Sequence, residues 1–505
     1  MTNTLDKKVK VTNDLLIIGI IMAIGCFYVL TFRQGYIWAD DTFMYLHHAR
    51  NIVLGKSYKD IGYIHNPYYP FPYLGPPTGT CPPLLPILLT PLYKYFGLNF
   101  VLLKMEMVVF FLGSLFLIYR YFESELPKQY AAVLVVALGL NPYFWDFKDY
   151  VLSDLPFLFF VFLTLNAIKK VHQDAYPPNG RVVFRAVMVG ICLYLAYGTR
   201  SLGIFIFLSF IVADLLRWRK PTQFLVLSGL VFLSAVALQS LFLHHDVSYI
   251  TNYKIPSFQM IPYMVKLNVA LFSHLWDNGY EHKFSQVLSI AINMLAFFGW
   301  SSKIKRSLTM AELFPLIYGA FLILWPTDAG IRYWIPIIPF YIFYLFVGVE
   351  RIGFYVGKRW KTIGFVILLV SIFASYFGRF TKLDPHHFND ITITNKESGD
   401  LFAYVRTETE ADAIFLFLKP KALSFFTERK AAGYHQNQGE QGLWCFFREI
   451  RATYLVVSVF DACFYGDFSE KFVTKYQANF KETYSSKNYK VYKIVSRPPG
   501  ICDSP

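Results

Sequence analysis

The apolar positions of this chain fall in long, nearly unbroken blocks, and polar residues mostly punctuate them. Blocks run near residues 13–32, 100–122, 128–146, 150–170, 184–198, 201–217, 222–244, 284–302, 310–325, 332–355 and 361–380. As a helix, about 20 apolar residues match the roughly 30 Å of hydrocarbon in a bilayer, where a helix satisfies its own backbone polar groups. The pattern therefore predicts a polytopic α-helical membrane protein with about 11 transmembrane helices. One further apolar segment, Pro82 to Phe96, is left over. Counting it as a span would invert every later loop, so it is expected to lie at or dip into the outer interface.

From Asn395 onward the blocks shorten and the pattern becomes that of a globular domain. Ser398 to Val405 reads as a helix, Ala413 to Leu418 and Tyr454 to Phe460 as buried strands, and Phe480 to Val495 as a hairpin. Two parts are expected: residues 1–384 as a transmembrane domain with long outer loops at 33–99 and 245–283, and residues 385–505 as a small C-terminal α/β domain outside the cytoplasm. No internal repeat is visible, which counts against transporters built from duplicated halves.

Charge orients the blocks. The chain carries a formal net charge of +14, yet residues 381–505 hold 16 basic and 15 acidic residues, so the excess belongs to the membrane part. There, Lys7, Lys8 and Lys10, then Lys128, then Lys169, Lys170, Arg181 and Arg185, then Arg217, Arg219 and Lys220, then Lys303, Lys305 and Arg306, and finally Arg351, Lys358, Arg359 and Lys361 fall in alternate short loops. Such loops stay in the cytoplasm. An odd number of spans then puts the N-terminus inside and the C-terminal domain outside. With 55% hydrophobic, 19% aromatic and 16% charged residues, soluble and nucleic-acid-binding classes are excluded. The six cysteines form no CxxC pair and indicate neither a zinc site nor a disulfide framework, though a Cys445 to Cys463 bridge is open. The first apolar block lacks a small-residue cleavage site and reads as an uncleaved span. The absence of any N-x-[ST] acceptor points to a prokaryotic plasma membrane.

Lys104, Glu106, Asp154, Arg200, Asp328 and Arg332 all map to the outer ends of spans, which predicts a polar site at the outer face. The densest signal is the Asp40-Asp41 pair, directly after the first span, where Phe43, Leu46, Ile52 and Val53 recur at near-helical spacing. Two readings stand: Asp40 caps that helix with Asp41 favoured by the helix dipole, or the pair does chemistry. Tyr63, Tyr68 and Tyr69 either stack on sugar or lipid or belong to an interfacial aromatic belt. Arg200 and Arg332 either bind an anion or make structural contacts such as a bridge from Arg332 to Asp328. His65, His244, His245, His274 and His282 lack metal-ligand spacing. The C-terminal part offers no catalytic constellation of its own.

The Asp40-Asp41 pair after the first span is followed in order by ARNIVLGKSY from Ala49, CPPLLPILLTPLYKYFG from Cys81, SDLPFLFF from Ser153, TRSLGIF from Thr199 and RYWIPIIPF from Arg332. In this order and spacing the chain resembles the GT-C glycosyltransferases, in particular the branch of the aminoarabinose transferases and protein O-mannosyltransferases. The resemblance implies transfer of a sugar from a polyprenyl-phosphate carrier to an acceptor hydroxyl of a glycan, lipid or protein, with inversion. It further implies catalytic roles for Asp40, Asp41 and Asp154, with Asp40 as the base, and donor-phosphate contacts from Arg200, Arg332, Lys56 and Lys104. A divalent metal, Mg²⁺ or Mn²⁺, is the one cofactor in question. Thr78, Gly79, Thr80 and Cys81 stand where relatives often carry Glu or His before the prolines, a departure that bears on metal binding. The competing reading is a transporter or flippase of a lipid-linked substrate.

Overall fold

The computed structural model describes residues 2–68, 81–173, 179–243, 258–276, 282–306, 308–325, 330–388, 391–459 and 468–498. The chain divides into two compact units: residues 1–32, 101–242 and 255–386 form one, and residues 33–100, 243–254 and 387–505 the other.

The first unit is helical. Among the described residues of the chain, eight helices are long and apolar enough to cross a membrane: Phe100–Phe122, Asp154–His172, Val182–Thr199, Ser201–Trp218, Gln223–Leu241, Ser285–Ile304, Ile338–Val356 and Lys358–Phe380. The remaining predicted blocks fold as shorter apolar helices, Asp14–Leu30, Lys128–Gly139 and Met310–Ile323. The block at 128–146 is shorter because Asn141 caps a separate helix, Pro142–Phe147, whose proline forms its first turn. Between helices in lipid the hydrophobic effect is weak, and close backbone approach replaces it. Gly299 and Gly348 make that approach, since a Cβ on either would lie 2.0 Å from the Tyr344 carbonyl oxygen or 2.2 Å from that of Leu295. Aromatic stacking adds to it, with the rings of Phe122 and Phe343 centred 4.4 Å apart. Thr309 and Glu312 close a capping box at the start of helix 310–323.

The second unit is built on a six-stranded mixed sheet in the order β1-β3-β2-β4-β6-β5, with β1 Tyr63–Ile64, β2 Ile414–Leu416, β3 Lys430–Ala432, β4 Tyr454–Ser458, β5 Phe480–Ser485 and β6 Tyr489–Ile494. Strands β1, β3, β2 and β4 pair in parallel, while β4/β6 and β6/β5 are antiparallel. The expected strands and hairpin at 413–418, 454–460 and 480–495 are there, as is the helix at 398–405, which spans Lys396–Thr407. Leu416, Trp444, Phe447, Leu455, Phe472 and Phe480 share one core.

Strand β1 comes from the loop after the first span, residues that the sequence pattern groups with the membrane part. Tyr63 and Ile64 register with Ala431 and Ala432, and helices Asp40–Leu54 and Leu84–Phe96 pack in this same unit. Trp38 fixes the entry to the first of these helices. Its ring packs against Phe402, Phe417 and Tyr489 at centroid distances of 5.5, 5.3 and 5.9 Å.

Candidate functional site

Asp40 opens helix 40–54, but it is not that helix's cap. The cap position is Ala39, which makes no side-chain capping bond. The carboxylate reaches instead to another helix. Helix Pro420–Thr427 begins with a proline and has Lys419 at its cap position without a side-chain capping bond, so its first N–H groups need an acceptor from elsewhere. Asp40 Oδ1 supplies it, accepting from the backbone N–H of Lys421 at 2.9 Å and of Ala422 at 3.1 Å. A negative charge at a helix N-terminus is also favoured by the macrodipole.

Lys421 follows the carboxylates with its side chain. Its Nζ lies 3.9 Å from Asp40 Oδ2 and 3.9 Å from Asp41 Oδ1, and only 7% of the side chain is exposed, against 22% for Asp40 and 42% for Asp41. The ammonium also sits 5.3 Å from the centre of the Tyr63 ring. Burial disfavours the charged ammonium, but Asp40 and Asp41 outweigh it and raise its proton affinity. Burial lifts the Asp40 carboxyl above the ordinary carboxylate range, while Lys421, Lys419 and the Ala422 N–H pull it back down. The sequence signal for Lys421 is slight: a lysine after Pro420 in an apolar helix. The C-terminal part, read from the sequence as having no catalytic constellation of its own, thus places Lys421 beside the Asp40-Asp41 pair.

In the other unit, Asp154 begins helix 154–173 and is fully buried. Arg200 Nη1 donates to its Oδ1 and Arg332 Nε to its Oδ2, the latter at 2.7 Å. The Arg200 guanidinium lies over the Tyr333 ring, 4.6 Å from its centre, and Tyr318 donates to the Tyr333 carbonyl at 2.9 Å. These three predicted residues thus come together in a trio of two guanidiniums and one carboxylate. The bridge considered for Arg332 went to Asp328, which lies outside the described residues; the observed partner is Asp154. Next along the chain from Arg332, Ile331 helps line a cavity of about 290 Å³ with Pro142, Tyr143, Asp146, His274 and Arg379.

Lys104 is buried against Asp149, 3.3 Å away, and Asp149 also holds Lys148 at 2.6 Å. Lys148 and Asp149 had no sequence motif to mark them. Lys56 is exposed just past the Gly55 cap of helix 40–54. Tyr68 donates to Glu449 and meets Phe446 edge-on, and Tyr69, His244 and His245 lie outside the described residues. Cys445 is disulfide-bonded, and Cys463 is not among the described residues.

A divalent cation does not suit the carboxylates described. Asp154 faces two guanidiniums and the Asp40-Asp41 pair faces an ammonium, so positive charge already stands beside each. Among the described residues no three His, Cys, Asp or Glu side chains gather to hold a metal.

No protein-family model and no curated protein matches the sequence. Solved structures do match. The Archaeoglobus fulgidus oligosaccharyltransferase, in a complex with Zn and sulfate, is similar with a TM-score of 0.60 at 13% identity, over 94% of this chain and 72% of that one. ArnT from Cupriavidus metallidurans, bound to undecaprenyl phosphate, is similar with a TM-score of 0.56 at 12% identity, over 97% of this chain and 99% of that one. The chain has the GT-C fold. A third match is the oligosaccharyltransferase AglB of Archaeoglobus fulgidus, in complex with an inhibitory peptide and a dolichol-phosphate, with a TM-score of 0.60 at 13% identity over 97% of this chain and 75% of that one. At such identities the likeness speaks for the GT-C fold, and the activity has to be argued from residues.

Proposed function

We propose that the protein is a membrane glycosyltransferase that moves a hexosyl or pentosyl group from a polyprenyl-phosphate carrier to an acceptor hydroxyl of a glycan, lipid or protein at the outer face of a prokaryotic plasma membrane. The observation that carries this reading is Asp40: a carboxylate directly after the first apolar helix, with one oxygen fixed by two backbone N–H groups and the other at 3.9 Å from Lys421. The neighbours in complex with dolichol-phosphate and bound to undecaprenyl phosphate support the class of donor.

In the proposed reaction the acceptor oxygen attacks the anomeric carbon as the bond from that carbon to the phosphate oxygen breaks. The hydroxyl proton passes to Asp40, and polyprenyl phosphate leaves with the bond's electron pair. A single displacement inverts the anomeric centre. Arg200 and Arg332 are assigned the departing phosphate on the resemblance, and a guanidinium is suited to phosphate oxygens because it can donate two N–H groups side by side. Asp154 holds those two guanidiniums in place, and Asp41 shares Lys421 with Asp40. Lys56, Lys104 and the tyrosines keep supporting roles in this reading, and no step passes through a metal.

Eleven spans, with the N-terminus inside and residues 385–505 outside, fit the alternation of basic loops. The disulfide at Cys445 accords with an oxidising compartment for that part of the chain. The test is Asp40→Asn in purified, reconstituted protein. Loss of a general base is expected to slow transfer by roughly 10²–10⁴-fold, and because Asn also removes the charge facing buried Lys421, thermal unfolding is measured alongside; a folded variant that transfers at the wild-type rate removes the mechanism.

A further inference from the structure

Asp40 is held from two directions, and the two oxygens are not equivalent. Oδ1 is committed to the N-terminus of helix 420–427. Oδ2 has the Lys421 ammonium beside it at 3.9 Å, beyond direct hydrogen-bond reach. Among the described residues no hydrogen bond engages Oδ2, so it can accept from an incoming hydroxyl while the nearby positive charge still acts on it. Building on the glycosyl-transfer reading, we propose that Lys421, carried by the C-terminal part of the chain, is a positioning residue for the reaction: it keeps the Asp40 carboxylate ionised and leaves Oδ2 as the oxygen that takes the proton.

Two features beyond the ion-pair distance support this assignment. The Lys421 side chain is buried, so water does not screen its charge as it would on a surface. Its backbone is tied to the same carboxylate through the N–H bond to Oδ1, so backbone and side chain of one residue hold both sides of the group. Among the described residues, charged and titratable groups from three elements act on the pair. Asp40 faces Asp41 on its own helix and Lys419 and Lys421 at the start of helix 420–427. Lys421 faces, besides the two carboxylates, Tyr45 of helix 40–54 and Tyr63 of β1. The Cys81 thiol lies in the field of Lys421 and Asp41, and burial pushes it up to about 12, so it stays neutral through the working range.

The sign of the effect follows. Asp40 works as a base only when deprotonated, so transfer falls as pH drops through its pKa. Lys421 lowers that pKa, and removing the ammonium must move the acidic limb of the rate profile upward. The experiment is the pH dependence of kcat/KM in wild type, Lys421→Met, Lys421→Gln and Lys421→Arg. A nearby ammonium favours the ionised carboxylate; the Met and Gln variants should therefore show the acidic limb moved to higher pH, and the Arg variant should restore the wild-type position. A uniform loss of rate at all pH values, with the limb unmoved, marks a structural contact only and overturns the proposal.

A second readout needs no substrate. Carbodiimide modifies protonated carboxyls, so labelling of Asp40 against pH, read by mass spectrometry, gives its midpoint directly. The midpoint should rise in Lys421→Met or Lys421→Gln, and an unchanged midpoint overturns the proposal even where a variant has lost transfer. The two readings fail separately. Wild-type protein that transfers normally beside variants with unmoved limbs and midpoints sinks only the role of Lys421. Wild-type protein that transfers from no polyprenyl-phosphate sugar sinks the glycosyl-transfer reading and this role with it.

Discussion

Asp154 is a fully buried carboxylate held by Arg200 and Arg332, and a buried charge that loses a partner is costly. Because the second arginine remains, Arg332→Leu should destabilise the protein by about 1–3 kcal/mol, below the usual cost of leaving a buried charge wholly unpaired. Thermal unfolding in detergent measures this; an unchanged unfolding temperature contradicts the trio as a structural element. The same variant should raise KM for the lipid donor. Sequence reasoning picked out all three residues from their depth in the membrane, but not their pairing, because 46 and 178 positions separate Asp154 from its partners. Lys421 was missed for a related reason: 381 residues separate it from the carboxylate its backbone N–H binds. With cations beside both sets of carboxylates, chelation by EDTA should leave transfer within about twofold of the untreated rate, a range of about 0.4 kcal/mol. Loss of activity that Mn²⁺ restores would show that a metal takes part.

At the level of elements, the long apolar helices were legible because a run of some twenty apolar residues has few alternatives. Strands β2, β4, β5 and β6 were legible from apolar runs and alternation. Strand β1 was not: two residues, Tyr63 and Ile64, give no periodicity to read. Its docking depends on Gly62, which has a φ of +64° and whose Cβ would lie 2.1 Å from Ser424 Oγ. Ser424 uses that hydroxyl to donate to the Ile61 carbonyl at 2.9 Å, and the Gly62 carbonyl accepts from the Ala431 N–H at 2.9 Å. Gly62→Ala should therefore loosen β1, at a cost of about 1–2 kcal/mol for the left-handed backbone before the clash is counted. Limited proteolysis near residue 62 checks it, with faster cleavage in the variant as the expected result. Adding Ser424→Ala should remove the clash, at the loss of the hydrogen bond to the Ile61 carbonyl, and leave the backbone part of the effect.

For the whole molecule, the apolar blocks carried most of the helical architecture, eight of them folding among the described residues as helices long and apolar enough to cross a membrane, in a chain with the GT-C fold. The grouping of residues 33–100 with 387–505 was not legible, because it depends on sheet pairing and helix packing between distant segments. The proposed topology has a direct consequence. A cysteine placed at Lys56, in a background where every native cysteine outside the Cys445 disulfide is replaced, should react with a membrane-impermeant maleimide on intact cells, and one at Lys305 should react only after lysis. Labelling of position 56 only after lysis would falsify the outward placement of Asp40. The central claim itself is chemical, and the release of free polyprenyl phosphate tests it most directly. Reconstituted wild-type protein, given a polyprenyl-phosphate-linked sugar and a hydroxyl acceptor, should release polyprenyl phosphate in step with acceptor glycosylation, and Asp40→Asn should release almost none. Movement of the intact sugar lipid between leaflets without any release, or equal release by the Asn variant, would contradict the account.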